Sequence, residues 1–489
     1  MSEWLWRNVI YGVFGAALLA VAVAWVRGAL ERIVPPPDLL WQRLARLARR
    51  AVPAAPGAAD NRFALVFAPL DGDGPKAEHT QRLLAAFSGM QGFRRLRAET
   101  PIRIAGDDLD QAERAAEEAA RALGRSLGAD LVVWGAVHRG GQEIQLWLTP
   151  AHGAGSGTPL LIAGGAAAPA AAEAIAARLA ALALAQLPEE EARQRFLDAS
   201  LEHVLARVEA LLARPPEALA PRDRAGLERA RADALARLGA DLGDPPRLRT
   251  ALAAFQALAA EAAPAERADL ARRIGEASLA LAVLTADRTL LDTAEARFAA
   301  AAQELGPRGG AALAEVHDQL GRARYWRGAW DADPAMLDAA VEAFRDAEAA
   351  FAAAGLALRA ADARVSQALI EAMRLARGGD PAGMEKAARL LREALAGGGE
   401  AQPRRQALAG MMLAWLEAAL AQERGDTEAL DAAARRAEAA LALIPRTRAP
   451  LAWAQARAMQ AGAEAARASY FGDAEALERA RRGIDEARA

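Results

Sequence analysis

At 489 residues, with Ala, Leu, Arg and Glu dominant and aromatics at 5%, the chain is too long for one ordinary core and reads as largely helical, in two or three folding units. A net charge of −3 gives no global case for nucleic-acid binding, and zero cysteines exclude disulfides, thiol chemistry and cysteine metal sites. Five scattered histidines leave little material for a metal cluster.

Val9 to Val26 is an 18-residue run without a charge, long enough to cross a bilayer as one helix. Trp4, Trp6 and Tyr11 stand at one end and Trp25 at the other, as interfacial aromatics do. A cleaved signal peptide is the rival reading, with Ala22-Val23-Ala24 as its cleavage site. Glu3 beside Arg7 leaves such a peptide little positive charge, which favours an uncleaved anchor over residues 1–34. Arg7 precedes the span, whereas Arg27, Arg32, Arg43, Arg46, Arg49 and Arg50 follow it. The positive-inside rule therefore predicts a single-pass inner-membrane protein with its bulk in the cytoplasm; a periplasmic bulk is the alternative. Residues 35–60 form a basic juxtamembrane segment and linker. Pro35-Pro36-Pro37 is a stiff spacer, and Leu39 to Arg50 sets Leu40, Leu44 and Leu47 along one face among four arginines. That helix either lies on the anionic leaflet or packs on the next domain.

Residues 61–186 read as a small α/β domain with a mixed sheet. Arg62 to Leu70 is apolar nearly throughout, as a buried strand is, and a helix is expected from about Ala77 to Met90. Strands are predicted near Phe93–Ala98, Leu131–His138, Glu143–Thr149 and Leu160–Ile162. A helix between the first two is capped by Asp107 or Asp108 and stopped by Gly128. Ile144, Leu146 and Leu148 alternate as in a half-exposed strand, and a long Ala-rich helix from about Pro169 closes the unit. The strand ending in Pro69-Leu70, with Gly128-Ala129-Asp130-Leu131-Val132-Val133-Trp134-Gly135 entering a hairpin, resembles the TolB amino-terminal type of domain. The resemblance implies a non-catalytic module and supplies no catalytic residues.

The loop Asp71-Gly72-Asp73-Gly74-Pro75-Lys76 lies between strand and helix, where phosphates often bind, yet it lacks both glycine-rich phosphate motifs. Asp71 and Asp73 fit the first positions of a calcium loop, but Lys76 takes its glycine position, so a plain turn is the better reading. His79 and His138 have no partner at a triad or metal spacing. Ser156 in Gly153–Gly157 lacks the setting of a nucleophile elbow.

Residues 187–489 carry an internal repeat, with Asp244, Asp287, Asp333, Asp380, Asp426 and Asp473 spaced by 43, 46, 47, 46 and 47 residues. Four residues on stand Leu248, Leu291, Leu337, Met384, Leu430 and Leu477. Seven on, the residue is Ala every time; eleven on stand Phe255, Phe298, Phe344, Leu391, Ala437 and Ile484. These offsets share one helical face. Twelve residues before each Asp the position is always small: Ala232, Gly275, Gly321, Ala368, Ala414 and Ala461. The unit is therefore two antiparallel helices, A and B, with the small position of A expected against the repeated Ala of B. Asp is expected to cap helix B, with Pro next in Asp244-Pro245, Asp333-Pro334 and Asp380-Pro381. Caps explain all six carboxylates, so no metal or substrate ladder is read from them.

Leu320-Gly321 with Ala340, Phe344 and Ala347 resembles the tetratricopeptide-repeat family, whose units have about 34 residues. The extra residues are expected at the ends of helices A and B and in the loop before Asp. By resemblance the ligand surface is the face lined by helices A: on the third repeat Asp318, Arg322, Tyr325 and Trp326, with Trp330 nearby. Arg and aromatics dominate many partner interfaces, although aromatics also fill gaps in an Ala-rich core. The fold expected is mainly α: a transmembrane helix, a small α/β domain and an α-solenoid of about six helix pairs. The function expected is a membrane-anchored, non-enzymatic scaffold for a protein or peptide partner, without cofactor, metal or nucleic acid. The alternative is a sensor whose α/β domain binds a small molecule and signals through the array.

Overall fold

The computed structural model describes residues 62–488 apart from positions 75, 91, 139–142, 152–157, 164–168, 186–190, 218, 378–379, 398–402, 445 and 447–449. The expected anchor at Val9 to Val26 and the basic segment after it lie outside the described residues, as does Ser156. Among the described residues no helix is long and apolar enough to cross a membrane.

Five strands form one mixed sheet: β1 (Phe63–Phe67), β2 (Phe93–Arg97), β3 (Leu131–His138), β4 (Glu143–Pro150) and β5 (Thr158–Ala163), in the order β2-β1-β3-β4-β5. β1 runs parallel to β2 and β3 through the crossover helices α1 (Glu78–Ala86) and α2 (Leu109–Ser126), whereas β3-β4-β5 is an antiparallel meander. β1 is apolar throughout because both of its faces are covered. On one side Phe63 and Phe67 meet Phe93 and Phe87 edge to face; on the other Ala64 and Val66 join Ala116 and Ala120 of α2. β4 departs from the expected alternation: only Glu143 and Gln145 are partly exposed, and from Leu146 onward every residue is buried. The reason is Trp147, which stacks on Trp134 at 4.8 Å and donates to Glu113 of α2 at 2.8 Å, so α2 covers that end of the strand.

The Gly-Ala-Asp motif before β3 is a structural clasp. Gly128 takes the left-handed conformation after α2, and the Asp130 carboxylate accepts the Ala64 N–H at 2.7 Å, fastening the start of β3 to β1. Gly135 is demanded by packing: a Cβ there would lie 1.9 Å from the Gln145 carbonyl oxygen on β4.

The Ala-rich helix α3 (Pro169–Ala185) belongs to both halves of the molecule. Ala174 to Ala177 and Leu179 to Leu184 are buried, and one continuous apolar core runs from Phe63 and Leu131 through this helix to Leu227 and Leu238. A helix apolar on all sides is stable only when enclosed. Here the sheet lies on one side and the array on the other.

After α4 (Glu191–Ala213) come six helix pairs. Helices A are α5 (Pro221–Leu242), α7 (Pro264–Thr285), α9 (Gly310–Asp331), α11 (Ala357–Arg377), α13 (Pro403–Arg424) and α15 (Pro450–Phe471). Helices B are α6 (Pro245–Glu261), α8 (Arg288–Leu305), α10 (Pro334–Ala353), α12 (Pro381–Gly397), α14 (Thr427–Ala442) and α16 (Ala474–Arg488). Five helices A have 22 residues and α11 has 21, so the extra length of the unit is helical. In the five repeats where the loop before Asp is described it is a single residue and is not lengthened: Leu242 ends α5 and Asp244 already caps α6.

All six repeated aspartates cap their helix B. Their carboxylates accept the backbone N–H of Arg247, Thr289, Ala335, Gly383, Ala429 and Ala476 respectively. The residue before Asp is left-handed at Gly243, Ala286, Ala332, Gly425 and Gly472. That single residue turns the chain so tightly that the Asp N–H still bonds the carbonyl five residues back, as Asp333 does to Gly328. The apolar face of the helices B is buried through the fifth repeat. In the sixth it shifts: Leu477 is 45% exposed, while Ala476, Ala480 and Gly483 turn inward. In the second and third repeats the small position of helix A lies nearest the side chain eleven residues after Asp rather than the repeated Ala. A Cβ on Gly275 would lie 2.6 Å from the Phe298 ring, and one on Gly321 would lie 3.0 Å from Phe344.

Acidic residues five positions after the cap tie each helix B to the next helix A in the middle of the array. Asp292 pairs with Arg327 at 3.3 Å, Asp338 with Arg374, Glu385 with Arg424, and Asp431 with Arg467 at 2.5 Å.

Candidate partner-binding face

Asp318, Arg322, Trp326 and Trp330 follow one another at steps of four along α9 and so share one stripe of the helix. Tyr325 does not: it packs with Phe344 and Ile370 toward the fourth repeat, its hydroxyl 3.9 Å from the Met373 sulfur. Trp326 and Trp330 are half-buried, their rings 6.0 Å apart, against the cluster that holds Leu279, Ala282 and Leu291 of the preceding repeat. The aromatics therefore serve as packing bulk between repeats and keep part of each ring at the surface.

Asp318 is fully buried and is an internal anchor. Both of its carboxylate oxygens receive 2.9 Å hydrogen bonds from the two Nη atoms of Arg405 on α13, a bidentate pairing. Arg322, one turn further along α9, stands 3.3 Å from the same carboxylate. Burial works to raise the Asp318 carboxyl, but Arg405 and Arg322 outweigh it and hold it well below the usual carboxylate range. Arg405 in turn lies over the Phe344 ring at 5.9 Å. Of the stripe, Arg322, Trp326 and Trp330 remain reachable by a partner.

Asp362 of α11 completes this cluster, and sequence reasoning missed both it and Arg405. The cause is geometric. Asp318, Asp362 and Arg405 lie three, six and nine residues before the small position of their own repeats, so the cluster runs diagonally across three helices A. A comparison of equivalent repeat positions cannot reveal such a line. A second charged group joins α5 and α7, where Arg273 meets Asp233 at 2.5 Å and Arg229 meets Asp269. Burial there pushes the Arg229 guanidinium down to about 10.

In the α/β domain the loop after β1 is a closed turn. Asp73 occupies the amino terminus of α1 itself, accepting from the backbone N–H of His79 and Thr80 at 2.9 Å, from the Thr80 hydroxyl at 2.7 Å, and lying 2.7 Å from His79 Nδ1. An anion at this helix end would compete with a carboxylate already in place. Asp71 pairs with Arg103 at 3.0 Å, and His138 stands exposed at a strand end. Among the described residues no group of His, Asp and Glu side chains is placed to hold a metal ion.

Compared with protein family models the chain matches none, and comparison with curated proteins likewise finds no match. Among solved structures it is similar to a circular tandem repeat protein with novel repeat topology and enhanced subunit contact surfaces. The identity is 15%, the match covers 78% of this chain and 88% of that one, and the TM-score is 0.23.

Proposed function

We propose that this chain is a membrane-anchored, non-enzymatic scaffold whose helices A present a surface to a protein or peptide partner. The observation that supports this most directly is the row Arg322, Trp326 and Trp330 on α9, half-exposed and adjacent, held in place by the buried Asp318–Arg405 pair. Arg and Trp on a rigid frame are what a partner's anchor residues pack against. The array is read as a long-unit relative of the tetratricopeptide repeat, on the strength of the Asp caps and of Gly321 against Phe344. The α/β domain is read as TolB-like, with its Gly-Ala-Asp clasp in a structural role. Val9 to Val26 supplies the anchor, and the arginines after it place the bulk in the cytoplasm. A ligand-sensing α/β domain is the less supported reading, because Asp73 already fills the helix end at the β1 loop.

Because α3 shares its core with both halves, the test uses the full chain in detergent rather than an excised array. A photo-crosslinking amino acid at Arg322 or Trp330 is expected to trap one protein species, and the same group at the exposed Arg345 on α10 is not. Equal yields at the three positions, or none, would overturn the proposal. A phosphatase reporter fused after Ala489 that proved active would overturn the cytoplasmic placement.

A further inference from the structure

Asp362 lies on α11 between α9 and α13. It is wholly buried, yet neither carboxylate oxygen meets a hydrogen-bond donor. The cations around it are engaged elsewhere. Arg405 of α13 commits both Nη atoms to Asp318 of α9, and Arg322 of α9 leans on the same carboxylate. Arg359, on α11 itself, sits over the Phe351 ring at 5.0 Å. Helix α10 turns the Phe344 ring to Arg405, and its Glu348 is held by Arg364 and Gln367. On α12, Glu385 pairs with Arg424 and Arg392 with Glu417. A buried, unbonded carboxylate is tolerable as the neutral acid and costly as the anion. The arrangement is therefore that of a protonated Asp362, consistent with burial, only partly offset by Arg405 and Arg359, pushing its carboxyl up to about 6.

We propose that Asp362 is a proton-operated latch on the staple joining the third, fourth and fifth repeats: once ionised, it competes with Asp318 for the single Arg405 guanidinium and loosens α11 from α9 and α13. The proton leaves to solvent and no bond is made or broken besides hydrogen bonds. The direction follows from linkage. The folded carboxyl lies above its ordinary value of 3.8, so the contribution of Asp362 to the seam is fully present below that value and is lost as pH rises through about 6. The inference concerns the seam alone and stands whether or not the array binds a partner.

Hydrogen exchange on the full chain tests it, read at pH about 5 and about 7.5 with exchange times corrected for the intrinsic rate. Protection of peptides within Ala357–Arg377 is expected to fall up to ~10-fold at the higher pH, while those within Arg288–Leu305 change little. In Asp362→Asn the two pH values should give equal protection of α11. Equal protection in the unaltered chain, or a pH effect that survives in Asp362→Asn, would overturn the latch. Should that variant fail to fold, carbon NMR of the Asp362 carboxyl in the unaltered protein decides: titration near 6 supports the proposal, and titration at the ordinary aspartate value defeats it.

Discussion

Arg405 and Asp318 meet through two 2.9 Å hydrogen bonds although 87 residues separate them. The pair reaches past the whole fourth repeat, so the helices A of the third and fifth repeats stand within one side chain of each other. Adjacent repeats in a stacked array contribute mainly nearest-neighbour terms. This bond adds a term between repeats that are not neighbours. Replacing Arg405 by Ala strands a buried carboxylate and is expected to cost about 3–5 kcal/mol, read as a lower urea midpoint near neutral pH. The double variant Asp318→Leu, Arg405→Met should recover most of that loss, because two apolar side chains leave no charge unpaired.

Acid should weaken both halves of the molecule, for one reason. Asp318 and Asp73 are both held below the ordinary aspartate value of 3.8, despite burial, by Arg405 and Arg322 in one case and by Thr80 and His79 in the other. A depressed folded value means that the stabilisation is fully present above about pH 4 and is lost as pH falls below it. Asp73→Ala should lower the stability of the sheet domain by about 1–3 kcal/mol near neutral pH, since it removes a charged acceptor from four donors. Its melting temperature should then vary less than that of the unaltered protein on acidification.

The sequence displays what recurs and hides what does not. Asp caps, the rows through Leu291, Ala294 and Phe298, and the small position at Gly275 recur in register, and each has the structural role that its offset predicts or a near neighbour of it. At Gly275 the nearest side chain is Phe298 rather than the expected Ala294, because helix crossing angle decides which side chain fills a notch and no spacing encodes that angle. Leu477 breaks the pattern because α16 has rolled to bury Ala476, Ala480 and Gly483 instead. The ion pairs between Asp338 and Arg374 and their equivalents were visible as a repeated acid five residues after the cap. Exposed charge is ordinarily a solvated face, so spacing alone does not mark them as pairs. The diagonal Asp318–Asp362–Arg405 cluster carries no repeated signature at all.

Those seam pairs are regular but exposed, and regularity is not strength. Asp338 and Arg374 both keep about half of their side-chain surface in water. Removing the pair with Asp338→Ala, Arg374→Ala should change stability by only about 0–1 kcal/mol beyond the sum of helix-propensity effects, as measured by a double-mutant cycle. A larger coupling would mean that the four pairs act as a network.

Ala286 and Ala332 stand where Gly243, Gly425 and Gly472 stand in their own repeats, with φ of 54° and 51°. A Cβ in the left-handed region crowds the following carbonyl and costs about 1–2 kcal/mol, which glycine avoids. Glycine also loses more chain entropy on folding, worth about 0.5–1 kcal/mol in the opposite direction. The strain is the larger quantity, so Ala286→Gly and Ala332→Gly should each raise stability by some tenths to about 1 kcal/mol, seen as a higher melting temperature.

Gly275 tests the opposite case, in which glycine is required by a neighbour rather than by its own backbone. A methyl group there would sit 2.6 Å from the Phe298 ring, which is itself fully buried and has no room to retreat. Gly275→Ala gains helix propensity worth about 0.8–1.0 kcal/mol. Overpacking of a filled core costs about 1–3 kcal/mol, so the net is destabilisation. Adding Phe298→Leu, which matches the Leu391 of the fourth repeat where the small position is Ala368, should restore the lost stability and turn the propensity gain into a net benefit. If Gly275→Ala alone were stabilising, the pairing of glycine on helix A with phenylalanine on helix B would be incidental rather than a size-matched contact.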